Sequence, residues 1–145
     1  LDQLKIGWCS QLKENGVLAS SDELDELKRA LKNMLEDPFG KWLLETKHDS
    51  SVEVMFDYRF DNGGQIKRSI IDLTFLFENT RWIIDYKYAH PIAGQTIKSF
   101  TDNMIDKYRG QLHQYASLLR GIEDYPIRCG LYLPRVPLFI EIPDR

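Results

Sequence analysis

Two aspartates and a lysine stand in two neighbouring segments that alternate in hydrophobicity with a period of two, as β-strands do. Asp72 lies in the segment 66–77, and Asp85 and Lys87 lie in the segment 82–88. Side chains of one parity share a face of a strand, so Asp85 and Lys87 point the same way. Mg²⁺ prefers carboxylate oxygens, and a lysine beside them suits metal-assisted attack of water on a phosphodiester.

The turn between the two strands decides whether these side chains meet. The sequence predicts a two-residue turn at Asn79 and Thr80. That register puts Asp72 opposite Lys87 and brings Asp85 to the same face of the hairpin. A slip by one residue would separate the groups, because it moves a strand's side chains to the opposite face.

Two carboxylates held about 4 Å apart repel each other by roughly 4 kcal/mol at an effective dielectric constant near 20. A bound divalent cation removes this penalty, and Glu53 on the preceding strand is a candidate third oxygen donor. The alternative is that Asp85 and Lys87 form a surface ion pair and that Asp72 lies on a solvated edge. A lone Asp-x-Lys on a strand favours that alternative.

A second group of polar side chains lies in a long amphipathic helix, which apolar residues at spacings of three and four predict over 100–121. Lys107, Gln111 and Tyr115 are spaced four apart and share one side of this helix. A cation, an amide and a phenol in one line could follow a phosphate backbone. The alternative places the Tyr115 ring in the core with its hydroxyl at the surface.

The other elements follow from periodicity and from turn residues. Helices are predicted over 1–15, from Ser21 to the residue before Pro38, and over 39–46. The middle helix has an apolar stripe, and the third places Trp42 and Leu43 in the core. The stripe comprises Leu24, Leu27, Leu31, Met34 and Leu35. Strands are predicted over 52–60, 66–77, 82–88, 127–133 and 138–142, with a hairpin turn at 62–64.

These elements predict an α/β fold, in which a three-stranded antiparallel meander begins a mixed central sheet flanked by helices. The 145 residues suit one domain, with a helical part over 1–47 and the sheet and long helix over 52–142. No apolar run approaches the roughly 18 residues of a membrane helix. Cys9 and Cys129 form no paired motif, which argues against a zinc ribbon or a disulfide scaffold and favours the cytoplasm.

The charge distribution indicates where a polyanion would bind. The net charge is −3, but residues 1–64 carry 8 basic and 13 acidic side chains, whereas residues 65–120 carry 8 basic and 5 acidic. Because Lys and Arg provide most contacts to phosphate, we expect a nucleic acid to meet the middle of the chain.

Together these residues resemble the motifs of the RecB-type branch of the PD-(D/E)XK nucleases. The matching segments are Glu53, Ile71-Asp72, Ile84-Asp85-Tyr86-Lys87 and Gln111-Leu112-His113-Gln114-Tyr115. The similarity covers roughly residues 42–142, and the chain looks like the C-terminal nuclease domain of a bacterial UvrD/Rep-like helicase.

The resemblance implies a role for each of these residues. It implies that Asp72, Asp85 and the backbone carbonyl of Tyr86 bind Mg²⁺ or Mn²⁺, with Glu53 as a further ligand. Lys87 would position the attacking water and stabilise the developing charge. Gln111 and Tyr115 match the family's Gln-x-x-x-Tyr motif, and together with Lys107, which their helical spacing adds, we expect them to hold the DNA. ATP would be used only by a helicase part outside this chain.

The chain departs from this family in one motif. The family carries a metal-binding histidine in a Gly-x-x-x-His setting, whereas here Gly7 is followed by Gln11. We expect that the histidine precedes Leu1 or that this member lacks it. Two other interpretations stay open: a catalytically silent DNA-binding or scaffolding domain of such a helicase, and a free-standing protein-interaction domain. The clustered carboxylates favour a nuclease, and the net negative charge favours the other two.

Overall fold

The computed structural model describes residues 21–45, 47–59 and 66–144. The helix predicted over 1–15, the hairpin turn predicted over 62–64 and the Gly7–Gln11 segment lie outside these residues. Among the described residues, no helix combines the length and the apolar character needed to cross a membrane.

Two helices open the described part of the chain. Helix α1 spans Ser21–Glu36 and helix α2 spans Pro38–Leu44. Asp37 separates them: its side chain accepts a hydrogen bond of 2.9 Å from the Gly40 N–H and so caps α2, whose first residue is a proline. The break predicted at Pro38 is therefore confirmed.

The buried face of α1 differs from the predicted stripe. Leu27, Ala30 and Met34 are buried, whereas Leu24 and Leu35 are exposed. The buried face is thus rotated toward Ala30, whose small side chain gives little signal in a hydrophobicity pattern. In α2, Leu43 is buried as predicted, and Trp42 is only half-buried.

Five strands form one sheet in the order β1-β2-β3-β4-β5. They span His48–Arg59, Ile66–Phe77, Thr80–Tyr86, Ile127–Leu133 and Leu138–Ile142. The predicted bounds of β2, β4 and β5 are confirmed. β1 begins four residues earlier than predicted, and β3 is shifted two residues toward the N-terminus.

The sheet contains antiparallel and parallel neighbours. β1 pairs with β2, and β2 with β3, in the antiparallel sense. Helix α3, Ile97–Arg120, then leads from β3 to β4. The Arg81 N–H donates to the Pro126 carbonyl over 2.8 Å, and the Lys87 N–H donates to the Tyr132 carbonyl over 3.0 Å. From the first of these hydrogen bonds to the second, the donor and the acceptor both move six residues toward the C-terminus. β3 and β4 therefore run parallel, as strands joined by a helical crossover do. The predicted mixed α/β architecture is confirmed.

Contacts divide the chain into two compact units. Among the described residues, the first comprises 21–45, 86–90 and 132–139, and the second comprises 47–59, 66–85, 91–131 and 140–144. In the first unit the Phe39 and Phe139 rings stack with centroids 4.9 Å apart. The Tyr132 hydroxyl donates to Asp37 over 3.1 Å, which orders the junction between α1 and α2.

The close packing of Gly40 in the first unit leads to a stability prediction. A Cβ at this position would collide with the Met34 carbonyl oxygen, which is backbone, and would lie 2.7 Å from the Tyr132 hydroxyl. We expect Gly40→Ala to lower the free energy of unfolding by about 1–3 kcal/mol, the usual cost of overpacking. Urea denaturation followed by circular dichroism measures this change.

Gly110 in α3 is the matched control, because a Cβ there meets nothing within 4 Å. Gly110→Ala should leave stability unchanged or raise it by about 1 kcal/mol, the helix-propensity difference. If the two substitutions changed the free energy of unfolding equally, the close packing around Gly40 would not restrict the size of the side chain at this position.

Candidate functional site

The turn between β2 and β3 lies one residue earlier than predicted. Glu78 and Asn79 form it, with φ angles of 49° and 60°, and Phe77 pairs with Thr80. Positive φ at both central residues is the backbone of a tight hairpin turn whose twist matches the flanking strands. The predicted turn at Asn79 and Thr80 is therefore wrong.

This correction changes the partner of Asp72. Leu73 pairs with Ile84, and one further step of the antiparallel register puts Asp72 opposite Asp85 rather than opposite Lys87. Residues directly opposite each other in such a pair have Cβ atoms about 4.5–5.5 Å apart and share a face. Extended by one position beyond the last β2–β3 pair, the register thus sets the two aspartates opposite each other, instead of setting Asp72 opposite Lys87.

Glu53 lies on the other side of Asp72. Val52 pairs with Leu73 and Val54 pairs with Ile71, so the register between them sets Glu53 opposite Asp72. Glu53, Asp72 and Asp85 therefore form a line across β1, β2 and β3, which we call the carboxylate row. The sequence predicted a shared face for the two aspartates, and the register places Glu53 at the next position across the sheet.

Exposure changes steeply along the carboxylate row. Glu53 is exposed, Asp72 is half-buried, and Asp85 retains only 3% of its accessible surface. Aspartate is rarely buried to this extent unless it has partners. The position of Asp85 therefore disagrees with the alternative in which it belongs to a surface ion pair.

The backbone at Glu53 departs from a regular strand, since its φ angle is 50°. Left-handed backbone in a non-glycine residue is uncommon, and in a strand it interrupts the regular pleat. Within the described residues, no group of three or more histidine, cysteine, aspartate or glutamate side chains is close enough together to hold a metal ion. The three carboxylates of the row are therefore not gathered into such a group.

Tyr86 and Lys87 follow Asp85 in the chain and belong to the first unit. The Tyr86 ring is buried and meets the Tyr132 ring edge-on, with centroids 6.4 Å apart. The Lys87 N–H donates to the Tyr132 carbonyl. The backbone at Lys87 is thus fixed by a parallel strand, while its half-buried side chain keeps part of its surface in solvent.

The Gln111 and Tyr115 side chains interact with each other. The Gln111 Nε2 donates to the Tyr115 hydroxyl over 2.9 Å. The Tyr115 ring is 4% exposed, and Gln111 is exposed on the same side of α3. The ring is therefore a core residue, as the alternative proposed, and it offers no free face on which a base could stack. Its hydroxyl instead orients the Gln111 amide.

The orientation of α3 follows from His113. The His113 Nε2 lies 3.1 Å from the Pro143 carbonyl oxygen, just beyond β5. Gln111 precedes His113 by two residues, which is about 200° around a helix. Gln111 therefore lies on the side of α3 directed away from Pro143 and β5. Lys107 lies about 40° from Gln111 and shares that side.

Arg81 forms a buried ion network that the sequence did not predict. The Arg81 Nε and Nη2 donate to the two Glu123 carboxylate oxygens over 2.5 and 3.0 Å. Nη2 also donates to the Asp49 carboxylate over 2.5 Å, and Nη1 donates to the Asp49 carbonyl oxygen over 3.1 Å. The network joins the start of β1, the start of β3 and the segment after α3. Strand parity could not identify Arg81, because every residue from Arg81 to Tyr86 is buried, whichever face of β3 it occupies.

Electrostatic effects within this network reinforce it. Burial disfavours the charged guanidinium, but the hydrogen bonds with Glu123 and Asp49 outweigh burial and raise the pKa of Arg81. The hydrogen bond from Arg81 also lowers the pKa of Asp49.

The Cys129 thiol is unsuited to nucleophilic chemistry. Cys129 is buried in β4, and burial raises its pKa to about 12. A thiol with this pKa is almost entirely protonated at neutral pH, and the thiolate is the reactive form. Cysteine-based catalysis is therefore not supported at this position.

No protein-family model matches the chain, and no curated protein shows significant sequence similarity to it.

Proposed function

We propose that this chain is a nuclease domain that hydrolyses phosphodiester bonds of DNA with the help of Mg²⁺ or Mn²⁺. The observation that supports this most directly is the burial of Asp85 at the position that the β2–β3 register, extended by one residue beyond the Leu73–Ile84 pair, sets opposite Asp72. Like charges in direct opposition destabilise a sheet, and a divalent cation held between them would remove that penalty. The proposed core is of the PD-(D/E)XK type.

The donor set fits a hard divalent cation. Asp72 and Asp85 would hold it with the Tyr86 backbone carbonyl, and Glu53 could contribute through a water molecule from the exposed end of the row. Oxygen ligands of this kind suit Mg²⁺ and Mn²⁺. When bound, such an ion lowers the pKa of a water molecule and neutralises charge on a phosphate.

The proposed roles of the other residues follow from their chemistry. Lys87 would stabilise negative charge that develops on the phosphate, since it follows Asp85 by two residues at the end of β3. Gln111, held by Tyr115, and Lys107 would contact phosphates of the bound strand. Tyr115 would act only through Gln111.

A second candidate is a catalytically silent DNA-binding or scaffolding domain. One observation favours it: the described residues do not provide three clustered metal-ligating side chains. In either case the resemblance suggests that the parent protein is a UvrD/Rep-like helicase of the cytoplasm that acts in DNA repair or recombination. ATP would then serve the helicase part and not this domain.

Cleavage of an end-labelled single-stranded oligonucleotide distinguishes the two candidates. We expect products in Mg²⁺ or Mn²⁺, and none in EDTA or in Ca²⁺, which tolerates looser oxygen geometry. Metal-independent DNA binding with no products in any of these ions would support the silent domain instead. Products that form equally in EDTA would contradict a role for the carboxylate pair.

The proposed substrate contacts of α3 predict separate binding defects. Gln111→Ala should weaken binding of single-stranded DNA in Ca²⁺ by about 1 kcal/mol, because one hydrogen bond to the strand is lost. Lys107→Ala should weaken binding and make its salt dependence shallower, because fewer counterions are released. Fluorescence anisotropy at several salt concentrations measures both effects.

Lys98 provides the matched control for Lys107. It is exposed on the same helix, about 180° around from Lys107, and pairs with Asp102 at 2.8 Å. Lys98→Ala removes the same charge and should leave affinity and salt dependence nearly unchanged. Equal effects of the two lysines would mean that α3 contributes only net charge.

A further inference from the structure

Beyond the carboxylate row, β1 and β2 continue as a two-stranded ribbon, which we define as residues 54–59 paired with residues 66–71. β3 pairs with β2 only from Leu73 to Phe77. On one face of the ribbon Ile71 is completely buried. The opposite face carries an exposed apolar pair, Met55 and Ile70, which are direct cross-strand partners.

This pair is unusual for its position. Met55 is 62% exposed and Ile70 is 41% exposed. Farther along the same face, Arg68 Nε and Asp57 Oδ1 form a salt bridge of 2.8 Å. Strands with one buried face normally alternate apolar and polar residues. Met55 and Ile70 both break this alternation. Because they are cross-strand partners, they form one continuous apolar surface.

The location of the pair indicates its partner. Ile70 and Asp72 are two residues apart on β2, so they share a face and lie about 6.6 Å apart along the strand. A nucleic-acid strand whose phosphate lies at Asp72 and Asp85 would place a neighbouring nucleotide over Met55 and Ile70. Aliphatic side chains such as these contact the faces of unstacked bases in other nucleic-acid complexes.

We infer that Met55 and Ile70 form an apolar platform for the base next to the phosphate at the carboxylate row. This inference rests on the proposed function. The platform requires an unstacked base, so it selects single-stranded nucleic acid over the closed duplex. It reads no sequence, because every base has an apolar face.

Binding of two oligonucleotides in Ca²⁺ tests the platform: an oligothymidylate, and a strand of the same length whose sugars lack bases. Wild type should bind the oligothymidylate about fivefold more tightly, the factor expected from burying about 40 Å² of apolar surface. The double variant Met55→Gln/Ile70→Thr should bind the two strands equally. Met55→Leu, which stays apolar, should keep the preference.

Ile122→Thr is the matched control, since Ile122 is 67% exposed and lies after α3. It should keep the wild-type preference for bases. Equal wild-type affinity for the two strands, or a full preference in the double variant, would overturn the platform and leave the proposed nuclease intact. If sedimentation showed that wild type is a dimer and the double variant a monomer, Met55 and Ile70 would instead form a self-association surface. Failure of wild type to bind either strand would count against the proposed function itself.

Discussion

Replacing Lys87 by alanine is expected to lower the rate of DNA cleavage by about 10²–10³-fold while leaving the fold intact. The lysine acts on charge that develops in the transition state, so its loss should reduce the chemical step and spare substrate binding. The backbone at Lys87 is held by its hydrogen bond to Tyr132, which the substitution does not remove. Single-turnover cleavage at saturating Mg²⁺ measures the effect.

Two comparisons separate this role from a general loss of charge. Lys41 is an exposed lysine of α2, and Lys41→Ala should cleave at the wild-type rate. Metal binding by Lys87→Ala should remain close to that of wild type. Cleavage by Lys87→Ala at the wild-type rate would show that Lys87 has no part in the reaction.

Replacing Arg81 by methionine is expected to lower the free energy of unfolding by about 1.5–3 kcal/mol, the usual contribution of hydrogen bonds to charged groups. Methionine fills much of the same volume but leaves Glu123, which retains 23% of its side-chain surface, without its cation. The change also disconnects the start of β1 from β3. Denaturant unfolding measures the difference between variant and wild type.

Arg68 is the control for Arg81, because it too pairs with an aspartate. Its Nε lies 2.8 Å from Asp57 Oδ1, but 62% of its side-chain surface is exposed. Arg68→Met should change stability by less than about 1 kcal/mol, as exposed ion pairs do. Similar losses for the two arginines would contradict the importance of burial.

The Asp49–Arg81 pair also predicts a pH dependence. The pKa of Asp49 is lowered by its hydrogen bond to Arg81, so the pair stabilises the fold above the unfolded-state pKa of aspartate, about 3.9. This contribution is lost as the pH falls through the lowered pKa of the folded state. The acid-induced loss of stability should therefore be smaller in Arg81→Met than in wild type.

Local patterns were sufficient to predict most elements of the sheet. The end of β4 and the start of β5 follow from two apolar runs separated by Pro134 and Pro137. Proline cannot continue a regular central strand. Helix α3 follows from a long apolar repeat and ends near Gly121. These features depend on neighbours in sequence, so they can be predicted without tertiary information.

The register of the candidate site could not be predicted in the same way. Turns at Glu78-Asn79 and at Asn79-Thr80 differ in only one residue, and the choice depends on which pair accepts positive φ while the strands bury their apolar faces. The burial of Arg81 depends on Asp49 and Glu123, which are distant in sequence. The shared face of Asp72 and Asp85 could still be predicted, because both registers preserve their parity.

The Tyr115 ring shows where a motif leaves two roles open. A spacing of four residues places Tyr115 and Gln111 on the same side of the helix. This holds whether that side contacts a substrate or packs into the core. The structure buries the ring and hydrogen-bonds its hydroxyl to Gln111. Only the packing of α3 against the sheet distinguishes a core ring from an exposed one.

Calorimetric titration of wild type and Asp85→Asn with Mn²⁺ and Mg²⁺ tests the carboxylate pair most directly. We expect wild type to bind one ion per chain at millimolar concentration, and Asp85→Asn to show no binding, because asparagine keeps the shape of the side chain but removes its charge. Asp106→Asn, which changes an exposed aspartate of α3, should bind like wild type. Equal metal binding by wild type and Asp85→Asn would contradict the site formed by Asp72 and Asp85.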